Sequence, residues 1–418
     1  MTLFDIAAIL LGLSAVFGFI NHRYLRLPHA IGLTIMGMVA SITVVAIDLI
    51  FPYLQVGPLV SSALSRIDFY EALMLGMLSF LLFAGALHVD FSQLTSRKWS
   101  ILLMATVGVL LSTFIVATLM WLALKLLNTP VPFVWALVFG ALISPTDPVA
   151  VMGILKTVKL PATLEAKIAG ESLFNDGVGV VVFTIVLAVA TGDGHGDISP
   201  TAVARLFFVE AMGGALMGLA AGYIAYLAMR RLDEHNLEVI ISLALVMVTY
   251  AVAHHLGISG PIAVVVAGIF IGNLGVKFAM SATTRSHLIA FWSLNDEILN
   301  SVLFLLIGLE VLVIRFDTGY IAAALLAIPV VLLARIVGVS LPIKLLSVRR
   351  QFTKGAIPVL VWGGLRGGIS VALAFSLPEN ELKAPILTIT YSVVVFSIVV
   401  QGLTVKVVAT RMVGLPNE

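Results

Sequence analysis

Apolar runs of about 20 residues recur from one end of the chain to the other, each long enough to cross ~30 Å of hydrocarbon as a helix. Bounded at charges, prolines and glycines, they fall near residues 3–20, 29–50, 69–87, 100–127, 132–155, 168–191, 201–229, 237–255, 259–275, 288–314, 318–347, 354–377 and 384–408, about 13 spans. The stretch between Thr191 and Pro200, with Gly192, Gly194 and Gly196, is turn-rich and the least apolar of the connections. The fold class expected is therefore an all-α polytopic membrane protein, in contact with a lipid bilayer over most of its length. The first run carries Asp5, lacks a basic leader and leads straight into further spans, so it reads as a retained helix and not a cleaved signal.

An odd number of spans suggests six helices, a linker helix and six more, with the two sixes oppositely oriented: a first repeat over about 1–191, a linker over about 201–231 and a second repeat over about 237–411. Inverted repeats of this kind hold their site near the midplane, where corresponding helices are interrupted. The fifth span of each half carries such a break. In the first, Ser144-Pro145-Thr146-Asp147-Pro148 places two prolines in an apolar run and removes helical hydrogen bonds. In the second, Gly363-Gly364-Leu365-Arg366-Gly367-Gly368 combines glycines with a charge. Freed backbone groups are not tolerated in lipid, so both breaks must face protein or a water-filled cavity.

The distribution of Lys and Arg gives an orientation. With the N-terminus outside, the inner segments collect most of the basic residues, among them Arg23, Arg26, Arg97, Lys98, Arg230, Arg231, Arg349 and Arg350, and a loop with Lys156, Lys159 and Lys167. The outer segments hold only Arg66, Lys125, Arg205, Arg315 and Lys383. The C-terminus is then cytoplasmic, and the expected location is the plasma (inner) membrane of a bacterium. Arg335 and Arg366 remain deep within spans.

Composition agrees with the pattern. Hydrophobic residues make up 60% and charged residues 11% of the 418 residues, against about a quarter charged in soluble chains. A net charge of +2 is too small to argue for nucleic acid as a partner, and the absence of cysteine removes disulfides and thiolate metal sites. No Walker-type phosphate loop is present, so no nucleotide is expected to drive the protein.

The sixth span opens Gly170-Glu171-Ser172-Leu173-Phe174-Asn175-Asp176-Gly177, which puts two carboxylates and an amide into an apolar helix. Ser172 and Asp176 share one face and Glu171 and Asn175 an adjacent one. An ionisable group at membrane depth costs at least ~2.5 kcal/mol, so it is read as functional before it is read as structural. The structural reading, that the carboxylates only pair with Arg335 and Arg366, serves Glu171 better than Asp176. Burial disfavours the charged form of a carboxylate, and the ionised form supplies the oxygen that a hard cation such as sodium needs to replace lost water. Asp176 with Asp147, Ser172 and Thr146 could hold such a cation. A protonated Asp176 could not, so proton and cation would exclude each other and exchange would follow from competition.

The three segments "SPTDPVAV" (144–151), "GESLFNDGVGVVVF" (170–183) and "GGLRGGIS" (363–370) resemble the signatures of the cation/proton antiporter 1 family, the bacterial NhaP-like and eukaryotic sodium/proton exchanger branch. The resemblance runs over essentially the whole chain. It implies an inverted-repeat fold divided into a core and a dimerisation domain, a homodimer, and secondary exchange of Na+ or Li+ for H+ with no cofactor. It further implies that Asp176 carries cation and proton, that Thr146, Asp147 and Ser172 contribute ligands, and that Glu171, Asn175 and Arg366 organise the site. An Asn-Asp pair goes in this superfamily mostly with electroneutral one-for-one exchange. Some members carry an acidic residue in the third span, whereas this chain has no carboxylate between Glu71 and Asp90, so no ligand is assigned there. The sequence ends shortly after its last span, so the long cytoplasmic regulatory tail of animal exchangers is not expected.

Potassium/proton exchange and, further off, a gated cation channel would use the same buried acid. An intramembrane hydrolase would need a nucleophile and base that the spans do not offer, so no enzymatic activity is expected. For Arg335 the sequence offers Glu297 or Glu310 as partners without choosing. His254 and His255 read as interfacial anchors, and Gly214, Gly218 and Gly222, four apart, read as a close-packing stripe within the molecule or in a dimer.

Overall fold

The computed structural model describes residues 3–64, 69–147, 149–155, 160–192, 200–314, 318–347 and 355–413, and these are almost entirely helical. A backbone in hydrocarbon has no water to bond, and helices satisfy every peptide group internally. The principal helices are α1 (Leu3–Ile20), α2 (His29–Ile50), α3 (Phe69–Leu87), α4 (Leu94–Leu126), α5 (Phe133–Ile143), α6 (Val149–Leu155), α7 (Ala162–Thr191), α8 (Pro200–Met229), α9 (His235–His255), α10 (Gly260–Phe278), α11 (Ala282–Leu309), α12 (Ile321–Ser347), α13 (Ala356–Trp362), α14 (Gly368–Phe375) and α15 (Lys383–Val413). Among the described residues, 10 helices are long and apolar enough to cross a membrane. Outside that set stand α11, with Asp296 and Glu297 in its middle, and the half-length helices α5, α6, α13 and α14. The latter are the two interrupted runs: the expected breaks are present, one between α5 and α6 and one between α13 and α14.

Pro148, Arg66, Lys156, Lys159, Arg315, Arg349, Arg350, Lys354, Gly194 and Gly196 lie outside the described residues. Lys167 does not belong to a loop, as its place before the sixth apolar run suggested. Pro161 precedes α7, the helix starts at Ala162, and Lys167 is a buried residue of its second turn.

The helices form two groups. In one, α4 packs along α5 and α12, α7 crosses α5, and α12, α13 and α14 lean on α15. In the other, α2 lies along α11, α8 along α10, and α9 and α3 against α10 and α11. The groups meet where α7 touches α8 and α10 and where α14 touches α11 and α3. Phe83, Val246, Val264, Ile271, Leu288 and Trp292 fill the interior of the second group. Large apolar side chains such as Phe4, Phe19, Leu49, Leu126, Phe208, Ile224 and Leu325 point outward, as an acyl-chain solvent permits.

The glycine stripe of α8 is used within the molecule. A methyl group added at Gly214 would lie 2.5 Å from the Ser259 carbonyl, one at Gly218 would strike the Ala263 carbonyl, and one at Gly222 would lie 3.3 Å from Phe270 Cβ, all at or on α10. Without a hydrophobic effect between helices in lipid, this backbone contact is what brings α8 and α10 together.

Candidate cation site at the crossing of two broken helices

The two breaks meet. The Asp147 amide donates to the Leu365 carbonyl at 2.8 Å, an isolated antiparallel bridge between extended segments. A proline ring at 145 cannot continue the ladder, so the last carbonyls of α5 need another donor. Arg366 supplies it: its Nη1 donates to the carbonyls of Ser144 and, at 2.8 Å, Pro145. The guanidinium thereby sits at the negative end of a half-helix. Ser144 Oγ is held in turn by the Gly140 carbonyl at 2.7 Å and by Thr113 Oγ1 at 3.2 Å.

Arg335 does the same for the second break. Its Nη2 donates at 3.0 Å to the Leu360 carbonyl near the end of α13, and both its terminal nitrogens bind the Glu171 carboxylate, Nη2 at 3.1 Å. The partner of Arg335 is thus Glu171, neither Glu297 nor Glu310. Glu297 is exposed and Glu310 is buried at the far end of α11. Two buried arginines therefore each close the C-terminal end of one half-helix.

The α7 residues grip the first break. Asn175 Nδ2 donates to Thr146 Oγ1 at 2.7 Å, its Oδ1 accepts from the Thr146 amide at 3.3 Å, and Ser172 Oγ donates to the Thr146 carbonyl. One helix turn thus satisfies the backbone of the residue that the prolines freed. α7 can come so close because position 179 has no side chain: a methyl group there would run into the Pro145 ring. Asp147 is half-buried beside Gly367, at the N-terminal end of α14; a methyl group on Gly367 would lie 2.5 Å from Asp147 Cβ. The positive end of that half-helix favours an anion.

Asp176 is buried one position beyond Asn175, and its Oδ1 meets no hydrogen-bond donor among the described residues. The charge that acts on it is the Asp147 carboxylate. A small cavity beside the crossing is lined by Thr146, Asp147, Ser172, Glu171 and Arg335, with Leu360 and Gly363. It reaches three of the four residues expected to ligate a cation; Asp176 is outside its lining.

All seven expected site residues therefore gather at one crossing. Glu171 and Arg366 do not bond each other; each belongs to a different arginine-capped end. Sequence reasoning missed Ser397 and Gln401 of α15. Ser397 Oγ accepts from the Arg366 amide at 2.9 Å and donates to Gln401 Oε1 at 2.7 Å, while Gln401 Nε2 reaches the Trp362 carbonyl at 3.2 Å. Two polar residues four apart in an apolar run were the available signal, and a π-helical turn over Ser397–Gln401 marks the spot. His254 and His255 are exposed, with the His255 ring bonded to the Ala251 carbonyl at 2.8 Å.

Broken helices crossing in the interior, with ionisable groups and freed backbone turned on one point, define the architecture of a secondary transporter. The chain belongs to the sodium/hydrogen exchanger family, whose transmembrane-region model matches residues 11–411. It is 45% identical to the Na(+)/H(+) antiporter NhaP of Pseudomonas aeruginosa over 99% of this chain and 98% of that protein. It is 34% identical to the Na(+)/H(+) antiporter NhaH of Halobacillus dabanensis over 92% of each. Among solved structures, the sodium proton antiporter MjNhaP1 from Methanocaldococcus jannaschii superposes with a TM-score of 0.76 over 98% of both chains at 19% identity, which establishes the shared fold.

Proposed function

We propose that the protein is a secondary-active sodium/proton antiporter that exchanges one cation for one proton by competition at Asp176. The observation that carries this reading is a buried carboxylate with an unpartnered oxygen, next to a second carboxylate, at the meeting point of two broken helices. Two carboxylates in an apolar surround repel unless a cation joins them or one takes a proton. Sodium placed there would draw on Asp176 and Asp147, with the Ser172 hydroxyl and the Thr146 carbonyl offering their remaining lone pairs. Protonation of Asp176 withdraws its charge and releases the ion. Asn175, Glu171 and Arg366, with Arg335, position these groups through the backbone of the breaks. The names of the related proteins favour sodium over potassium as the cation.

In this reading the halves over about 1–191 and 237–411 are inverted repeats joined by the helix over about 201–231, the molecule is a homodimer in the bacterial inner membrane, and the ends rich in Lys and Arg face the cytoplasm. Purified protein in liposomes with an internal pH dye tests the function. Sodium or lithium salts are expected to drive proton movement, and potassium or choline salts much less; Asp176→Asn is expected to abolish it. Cation-dependent proton movement that persists in Asp176→Asn would overturn the assignment of the carrier, and a response to potassium alone would replace sodium.

A further inference from the structure

Away from the crossing, α9 buries an acid that the exchange reaction does not use. Glu238 is fully buried in the first turn, and neither of its carboxylate oxygens has a hydrogen-bond partner among the described residues. The amides that a first-turn acid ordinarily meets are taken. Glu234 accepts from Leu237 N at 2.6 Å and Asn236 N at 3.2 Å, and the Glu238 amide itself bonds the Glu234 carbonyl at 3.0 Å.

Among the described residues no Lys or Arg bonds the Glu238 carboxylate; the titratable group of α9 closest along the chain on its N-terminal side is His235, half-buried one turn earlier and packed on the His287 ring with centroids 4.4 Å apart. Glu238 lies on α9 one turn before Ser242, and two contacts flanking it tie this stretch to α11: Thr284 Oγ1 to Oδ1 of Asp233, just before α9, at 3.2 Å, and Trp292 Nε1 to Ser242 Oγ at 2.9 Å. On α11, Thr284, Leu288 and Trp292 are buried. The basic and imidazole groups of the neighbouring helix ends, Arg230 and Arg231 after α8, Lys277 of α10, Arg285 and His287 of α11 and His88 after α3, are exposed. The charges that do act on Glu238 are Asp233 and Glu234. Hydrogen bonds from the Leu237 and Asn236 backbones hold Glu234 below its ordinary carboxylate range, so it stays an anion. Asp233 Oδ1 accepts from Thr284, and the two Glu234 oxygens cap α9.

We propose that Glu238 is a proton-binding site distinct from the transport site, occupied in this conformation and emptied as the pH at that face rises. Asp233 and Glu234, on the same side of the contact, oppose ionisation of Glu238; once formed, the buried anion must be hydrated, and water drawn in between α9 and α11 parts the two helix ends. α11 carries the consequence inward. Trp292 packs on Phe83 of α3 with ring centroids 4.7 Å apart, and Leu303, further along α11, abuts Gly368 at the start of α14, next to the crossing. With the basic ends facing the cytoplasm, cytoplasmic pH sets the occupancy. This last step, control of exchange, rests on the transport reading above; the proton site itself does not.

Infrared difference spectroscopy of the protein in lipid vesicles, titrated in choline buffer, reads the site without transport. The expected result is a protonated-carboxyl band that disappears as pH rises, persists in Asp176→Asn and His287→Gln, and is absent in Glu238→Gln. Glu238→Met, of similar volume and uncharged, serves where Glu238→Gln does not fold. In sodium-driven exchange assays Glu238→Gln is expected to keep the maximal rate and shift the cytoplasmic pH dependence by about one unit. A band unchanged in Glu238→Gln, or one removed by sodium at fixed pH, would overturn the proposal. A wild-type protein that shows the band but moves no protons with sodium would sink the transport reading and leave the proton site standing.

Discussion

Asn175 is the residue on which the geometry of the first break depends most directly, since its amide group meets both the backbone and the hydroxyl of Thr146. Asn175→Ala leaves a buried amide without its acceptor, a loss of about 1–3 kcal/mol. The expected outcome is a lower melting temperature in detergent together with a raised KM for sodium, because Thr146 loses the two bonds to its amide and hydroxyl that fix where its carbonyl lies. Unchanged sodium KM would show that Thr146 contributes nothing to the ion. Glu171→Gln is predicted to be more costly, since it strands the Arg335 guanidinium in the interior; breaking a buried pair from one side costs about 3–5 kcal/mol, whereas replacing both partners by apolar groups is often neutral. Thermal unfolding of Glu171→Leu, Arg335→Met and the double variant measures this as a cycle that sets aside the separate bond from Arg335 to the Leu360 carbonyl, and additive losses refute the pairing as their source. The positions of Asp176, Asn175 and Glu171 were legible in the sequence because polar groups in an apolar helix are anomalies whatever the fold. The partner of Arg335 was legible only as one choice among several: pairing of Glu171 with Arg335 or Arg366 was a reading of the sequence, but an ion pair across 164 residues depends on which helices touch, and Glu297 and Glu310 were chemically equivalent choices.

At the scale of the helix, the α8–α10 contact follows the distances that a methyl group would meet. Gly218 faces the Ala263 carbonyl most closely, Gly214 the Ser259 carbonyl at 2.5 Å, and Gly222 side chain and Cα atoms at 3.3 Å and beyond. Substitution by Ala is therefore expected to destabilise in the order Gly218, Gly214, Gly222, with Gly218→Ala reaching the ~1–3 kcal/mol of an overpacked interface. Melting temperatures of the three variants in one detergent provide the test; equal losses at all three would mean that α8 shifts bodily to make room. The helix breaks themselves were readable, since two prolines or a run of glycines interrupts a helix locally. What closes them was less so. The start of α7 lay six residues earlier than its apolar run, because Pro161 and not the first apolar residue sets the helix boundary. Ser397 and Gln401 went unassigned, because two polar residues in the last span gain meaning only once α15 is known to lie behind Arg366.

Across the whole molecule, the charges at the crossing fix the stoichiometry expected of the proposed cycle. The two carboxylates Glu171 and Asp147 offset the two guanidinium groups Arg335 and Arg366, and in the proposed cycle Asp176 is left as the one group whose charge alternates. Its partner on α7, Asn175, is an amide that binds backbone and carries no second negative charge. Loading one proton or one sodium ion then produces the same net charge, so the mobile part of the protein carries no difference in charge between the two directions of the cycle. Membrane voltage acts only on charge that moves across it, about 2.3 kcal/mol per elementary charge per 100 mV. At equal sodium and proton gradients, an imposed potential of either sign is therefore expected to drive no exchange in liposomes whose voltage is clamped with potassium and valinomycin. Voltage-driven proton movement that needs sodium would show that a second proton travels with each cycle, and Asp147 would then be the carboxylate to substitute next.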